Sequence, residues 1–488
     1  MKNTNFNIKQ LGKKEIPIAI YCGPLCASEY KGNKYESQMT RDIFAKLKEC
    51  GINVVYGHDD EFNTPTEEEA IKCMDLCAEF GMAYLARDDI SLDYCSTGRS
   101  RADYRTFSEE KKAEIDRRYE ESLKKYCNHP AFAGVCFVDE PGMESFVGMK
   151  RAKDIFDRVC GKDKLFYVNL FPYYATAKQF DYGWELPDAP STEGLEPYVN
   201  TNMSRYKVYV NRLLDVLNPQ MISYDAYPYI NLGGIESMHH IIMYDVPQYL
   251  HSIDKQRQIP YWVFLQGFGE CGENGKVRVV NFAEVQLSIS LALAFGAKGL
   301  QIFPGCYSKW LFVHDKEFRD EDYYQINAII DKFGNTTEFF GYFKYGFSQV
   351  KSIQEYIAEA ELICQIVSGE FDGMLPSEEV LQTVKDNDCI YRGKLPKEFN
   401  IETDSYKELI KVDATNQVIV SCFEGENGRE FLIVNNSIIT ATTFTLTFDK
   451  EYDVEYIRNT RKNFRHGNKV TIQALAAGEN VLLHLYKK

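Results

Sequence analysis

Eight times between residues 15 and 304 a short apolar run is followed by a longer polar or amphipathic stretch. The runs occupy 15–24, 52–58, 82–88, 132–142, 164–172, 220–228, 259–269 and 298–304. They show little polar alternation, as expected of strands buried on both faces of a parallel sheet. The intervening stretches 39–50, 66–80, 107–127, 145–160, 198–217, 234–256 and 281–295 carry helical periodicity. Gly51, Gly81 and Gly296 stand where helices stop. Eight strand-helix units predict a (β/α)8 barrel. A doubly wound open sheet also alternates, but it rarely reaches eight units without a Gly-rich phosphate loop, and the chain has no Walker sequence.

The pattern reads as helical from about 323 to 367 and then changes. Runs at 417–423, 429–435, 442–448 and 480–486 are short and β-rich, with Glu424-Gly-Glu-Asn-Gly428 as a turn. Such spacing predicts an antiparallel β-sandwich. The expected division is a barrel over 1–365 and a C-terminal sandwich over 366–488. The sandwich shows no carboxylate cluster, so it reads as a support domain, with sugar binding as a second role.

Of 488 residues, 56 are Lys or Arg and 71 are Asp or Glu, a net charge of −15. That balance speaks against nucleic acid or an anionic membrane as the main partner. No apolar run approaches the roughly 20 residues of a membrane span, and the amino terminus shows no secretory h-region. The 14 cysteines are scattered through apolar segments, as in a reducing compartment, so the expected location is cytoplasmic. Cys22/Cys26 and Cys73/Cys77 lack a His or second Cys pair at zinc spacing. Neither a metal nor a cofactor is expected.

The chemistry concentrates in 132–142, Phe-Ala-Gly-Val-Cys-Phe-Val-Asp-Glu-Pro-Gly. Asp139 and Glu140 end an apolar strand, where carboxylates are costly to bury without partners and where barrels keep catalytic residues. The other strand ends offer His58, Asp59, Arg87, Asn169, Tyr224, Asp225, Tyr227, Gln266 and Gln301. That ring has no Ser/His/Asp or Cys/His grouping, and a metal would require His58, Asp59, Asp139 and Asp225 to converge. Carboxylates with aromatic walls suit glycoside cleavage best. The chain is 14% aromatic, which fits a sugar-binding cleft and equally a Tyr-rich core. Trp184 and Trp310, in loops beyond strand ends, are the expected stacking platforms. His58, Asn169, Tyr224, Tyr227 and Gln266 complete the expected substrate contacts.

The order of motifs resembles a clan-A glycoside hydrolase, the superfamily of the family 42 β-galactosidases. Val138-Asp139-Glu140-Pro141 is similar to that group's Asn-Glu-Pro at the fourth strand, with Asp in place of Asn. The strand Ser223-Tyr-Asp-Ala-Tyr-Pro228, the passage 292–300 and the C-terminal sandwich are also similar. The resemblance implies that Glu140 is the proton donor. It also implies a nucleophilic glutamate at the seventh strand end, where this chain has Gln266. Glu270, Glu273 and Asp225 are the remaining candidates.

The Asp-Glu pair is similar, too, to the substrate-assisted hexosaminidases of families 20 and 123. There the glutamate is the acid and the aspartate orients a 2-acetamido group, a role in which Tyr224 or Tyr227 would assist. Neighbouring strand residues face opposite ways, so this reading needs the strand to end or bend at Glu140; Pro141-Gly142 would permit it. A non-catalytic sugar-binding barrel is a third reading. The expected partner is a short oligosaccharide, and a homo-oligomer is left open.

Overall fold

The computed structural model describes residues 8, 10–12, 14–57, 65–95, 104–175, 177–182, 203–225, 227–229, 241–271, 277–307, 324–326, 328–369, 407–426 and 428–486. Eight parallel strands close a barrel: β1 (Ile18–Ile20), β2 (Val54–Tyr56), β3 (Ala83–Ala86), β4 (Phe132–Asp139), β5 (Leu165–Leu170), β6 (Ile222–Tyr224), β7 (Tyr261–Gln266) and β8 (Gly299–Phe303). Each pairs with its neighbours in sequence, and β1 closes on β8 with Ile18 opposite Leu300. Around them run α1 (Arg41–Cys50), α2 (Glu67–Phe80), α3 (Glu109–Tyr126), α4 (Phe146–Cys160), α5 (Met203–Leu217), α6 (Val246–Arg257), α7 (Phe282–Ala294) and α8 (Glu338–Ile357). The expected (β/α)8 barrel is therefore present.

Local signals set the helix ends. Thr66 and Glu69 form a capping box at α2, and Gly51 and Gly81 take left-handed conformations after α1 and α2. The helix expected over 234–256 begins among the described residues as a π-turn at Ile241–Asp245 and continues as α6.

The lumen is packed rather than open, as barrels of this size are. Its lower part holds Ile8, Val54, Ala83, Leu165, Met221 and Trp262. A Cβ on Gly299 would meet the Trp262 ring at 2.5 Å, so a glycine there lets the indole lie across the lumen. Ile8 is buried at this end, and Gln10 donates to the Phe132 carbonyl at 2.8 Å.

The C-terminal sheet comprises β9 (Glu361–Ser368), β10 (Leu409–Ala414), β11 (Val418–Glu424), β12 (Gly428–Asn435), β13 (Thr442–Arg458), β14 (Arg461–Leu475) and β15 (Asn480–Tyr486). It is antiparallel, in the order β9-β11-β12-β15-β13-β10, with β14 on β13. The segment read as helical up to 367 thus ends differently: Glu361–Ser368 is a strand, because Leu362 and Cys364 pair across to Phe423 and Cys422. Strand β13 is 17 residues long and joins both layers, pairing β10 through its first half and β15 through its second.

Strands β12 and β15 are apolar on both faces. Phe431, Ile433 and Leu483 fill the sandwich, whereas Leu432, Val434 and Leu482 join the barrel core. The partner of that second face is α7, buried almost throughout from Glu284 to Ala294. Ser290 donates to the Gly478 carbonyl at 2.8 Å and accepts from Asn480 at 2.9 Å. Among the described residues, no helix is long and apolar enough to cross a membrane.

Candidate active site

Strand β4 delivers its carboxylates through two irregularities. Its register with β5 shifts between Cys136 and Val138, after which Asp139 lies opposite Asn169. Cys136 packs in the lumen, while Phe137 and Val138 both join the outer core. The extra residue restores Asp139 to the lumen side, which is what a bulge does beside a site. Glu140 then takes φ +45°, a left-handed conformation uncommon outside glycine, and its N–H donates to the Asn169 carbonyl at 3.0 Å. The strand therefore bends at the residue where the Asp-Glu reading needs a bend. Glu140 is buried, and its charge is felt by Tyr209, whose hydroxyl donates to the Pro141 carbonyl at 2.8 Å.

Asn169 is 1% exposed and bridges two carboxylates. Its Nδ2 donates to Asp139 Oδ1 at 2.8 Å and to Asp225 Oδ2 at 2.9 Å. Burial pushes the Asp225 carboxyl up to about 6, against the opposing pull of Tyr227 and Asn169. Asp225 Oδ1 is buried with no hydrogen-bond partner among the described residues. Arg87, at the end of β3, is buried and faces Tyr21 and Cys136, as Asp139 does.

Below the carboxylates lies a polar layer. Ser223 donates to Asn169 Oδ1 at 2.7 Å, and Gln301 Nε2 donates to Ser223 at 3.0 Å. The Tyr167 hydroxyl donates to Gln301 Oε1 at 2.7 Å and lies 2.8 Å from Ser223. Tyr56 also donates to Gln301 Oε1. Above and beside the carboxylates, Tyr227 meets the rings of Phe268 at 5.0 Å and Phe303 at 5.6 Å. Tyr21 meets Phe264 at 5.4 Å and Phe303 at 6.1 Å, which completes an aromatic collar.

The structure thus gathers Asp139, Asn169, Asp225 and Tyr227, with Glu140 adjoining. Gln266 is occupied by backbone: its Oε1 accepts from the Tyr229 N–H at 3.0 Å and its Nε2 donates to the Phe268 carbonyl at 3.2 Å. Tyr224 sits between inward residues and so lies in the outer layer, its hydroxyl 3.5 Å from the Ile242 carbonyl. It is not part of the lumen group. Glu270 lies on a strand, Gly269–Cys271, opposite Arg278 and Gln325 in a three-stranded sheet beyond β7. His58, Trp184, Glu273 and Trp310 lie outside the described residues. Tyr56, Tyr167 and the role of Ser223 were not singled out in sequence. Parity held the signal, since Tyr167 is two before Asn169 and Ser223 two before Asp225. Among the described residues no group of three or more His, Cys, Asp or Glu could hold a metal.

Fold and site define a (β/α)8 barrel with a carboxylate centre at the carboxyl ends of its strands and an antiparallel sandwich behind it. No protein-family profile matches the chain, and no curated protein sequence matches it. Among solved structures it is similar to a β-galactosidase from Bacillus circulans sp. alkalophilus, at 9% identity over 97% of this chain and 99% of that one, with TM-score 0.47. A maltogenic α-amylase from Thermotoga neapolitana is 10% identical over 98% and 99% of the two chains, with TM-score 0.47. A catalytic mutant of a GH42 β-galactosidase from G. stearothermophilus is 10% identical over 92% and 96%, with TM-score 0.44.

Proposed function

We propose that this protein is a glycoside hydrolase that cleaves O-glycosidic bonds of short oligosaccharides, with Glu140 as the proton donor. The observation that carries the reading is the Asn169 bridge between Asp139 and Asp225, set directly beside Glu140 at the strand ends. An acid gives its proton to the departing oxygen, and a second carboxylate stabilises or attacks the positive sugar carbon. Asp225 is the candidate for that second role, since the end of β7 carries an amide. The collar of Tyr21, Tyr227, Phe264 and Phe303 offers flat apolar faces of the kind that sugar C–H surfaces pack on.

A second reading has its own support. Gln266 is engaged by Tyr229 and Phe268, so the seventh strand end supplies no protein nucleophile. A 2-acetamido group on the substrate would fill that role, with Asp139 orienting it and Asn169 holding Asp139. Hydrolysis of aryl glycosides with and without a 2-acetamido group, by wild type and Glu140→Gln, tests both. Cleavage of 2-acetamido sugars alone selects the second reading, and cleavage of plain hexosides selects the first. Turnover unchanged in Glu140→Gln would refute the acid assignment in either.

A further inference from the structure

The polar layer under the carboxylates can be donated through in one direction only. An ionised carboxylate accepts and does not donate, so Asn169 must turn Nδ2 toward Asp139 and Asp225. Its Oδ1 then faces Ser223, whose single proton must go there. Ser223 is left to accept, and Gln301 supplies Nε2. Gln301 Oε1 therefore points at Tyr56, which donates to it, and at Tyr167, whose one proton is shared between Gln301 Oε1 and the accepting Ser223. Every member is consistent with the next, from two tyrosines at the middle of the barrel to two carboxylates at its rim. Reversing any one amide would set an oxygen against an oxygen at the next contact. Apart from the partly buried Asp139, these side chains are fully or almost fully buried, where an unmatched polar contact is expensive.

We infer that Ser223 and Gln301 are positioning residues that lock the Asn169 amide, so that Asp139 and Asp225 work as anions and Glu140 alone serves as the acid. The role assignment rests on the glycosidase reading; the lock itself does not. In glycosidases two carboxyls of unlike protonation divide the labour, and here a one-way chain of donors marks which are to stay ionised. Asp225 is faced by Asp139 across Asn169, by Tyr227 from its own loop, by Tyr224 beside it and by Tyr206 from α5. Arg87, near Tyr21 and Cys136, is the cation on the Asp139 side.

Two measurements on Ser223→Ala and Ser223→Thr test the inference. The first is independent of any substrate: the thermal midpoint of each variant from pH 4 to pH 8. Without the serine hydroxyl, Asn169 is free to turn, and Asp225 loses the Asn169 donor, keeps Tyr227 and holds its proton to higher pH. The fall in midpoint between pH 5 and pH 8 should then be steeper in Ser223→Ala than in wild type, and this excess should disappear in Ser223→Thr and in Ser223→Ala with Asp225→Asn, where Asp245 and Asp254 leave a smaller fall. Parallel curves for wild type and Ser223→Ala would overturn the lock. The second measurement is the pH profile of kcat/KM on whichever glycoside the wild type cleaves. Its acid limb should move to higher pH in Ser223→Ala, with a drop of about tenfold to a hundredfold for a displaced group; an unmoved limb with a uniform loss would overturn the role assignment. A wild type that cleaves no glycoside would refute the proposed function, and the midpoint curves would still decide the lock.

Discussion

Burial lifts Asp225 to about 6, above the ordinary carboxylate value, so the folded chain binds that proton more tightly than the unfolded chain does. The stability this contributes is fully present below about pH 4 and is lost as pH rises through about 6. Asp225→Asn should therefore raise the unfolding free energy at pH 8 by up to about 3 kcal/mol relative to wild type, with the difference vanishing near pH 4; urea titrations at both values check it. Glu140→Gln should leave the fold intact and reduce kcat about 10²- to 10⁴-fold on substrates with poor leaving groups, measured under saturating substrate. Asp139, Glu140 and Asp225 were legible in the sequence because polar residues at the ends of apolar runs stand out. Tyr56 and Tyr167 were not, because a tyrosine inside such a run looks like any core aromatic. Tyr224 shows the converse: it adjoins Asp225 in the chain, yet a strand sends it to the other side.

Strand β4 depends on its irregularities. A Cβ on Gly134 would meet the Leu165 carbonyl oxygen at 1.9 Å, so Gly134→Ala must push β4 and β5 apart. We expect a loss of more than about 2 kcal/mol, read as a lower denaturation midpoint. At Glu140 the strain runs the other way. Glu140→Gly should gain roughly 1 kcal/mol by relieving φ +45° while abolishing turnover, a split that identifies strain kept for function. The elements themselves were legible because eight apolar runs and their glycine stops repeat a simple rule. A bulge leaves no such trace, being one residue too many in a run whose residues are all apolar. The strand Glu361–Ser368 was hidden for a related reason: it follows α8 after a short turn, and its apolar residues extend the helical pattern. The long β14, mostly polar and exposed, offered no alternation strong enough to mark it.

Barrel and sandwich share a core through α7, β12 and β15, so they should melt together. Calorimetry of the whole chain is expected to give one transition, and two well-separated transitions would contradict the shared core. Gly478→Ala probes the same junction, because its Cβ would meet the Ala283 carbonyl oxygen at 2.3 Å and Gly478 has φ +71°. It should lower the single midpoint for both parts, by about 2 kcal/mol of stability, and not that of the sandwich alone. The end of the barrel far from the carboxylates is filled by Trp262, Leu165 and Met221, with Ile8 beneath them. A lumen plugged at that end is approached from the other. On the proposed reading, the released sugar retreats along the path by which its successor arrives, so the two queue and do not pass. Accumulating product should then compete with substrate, as a lane with no exit slows when it fills.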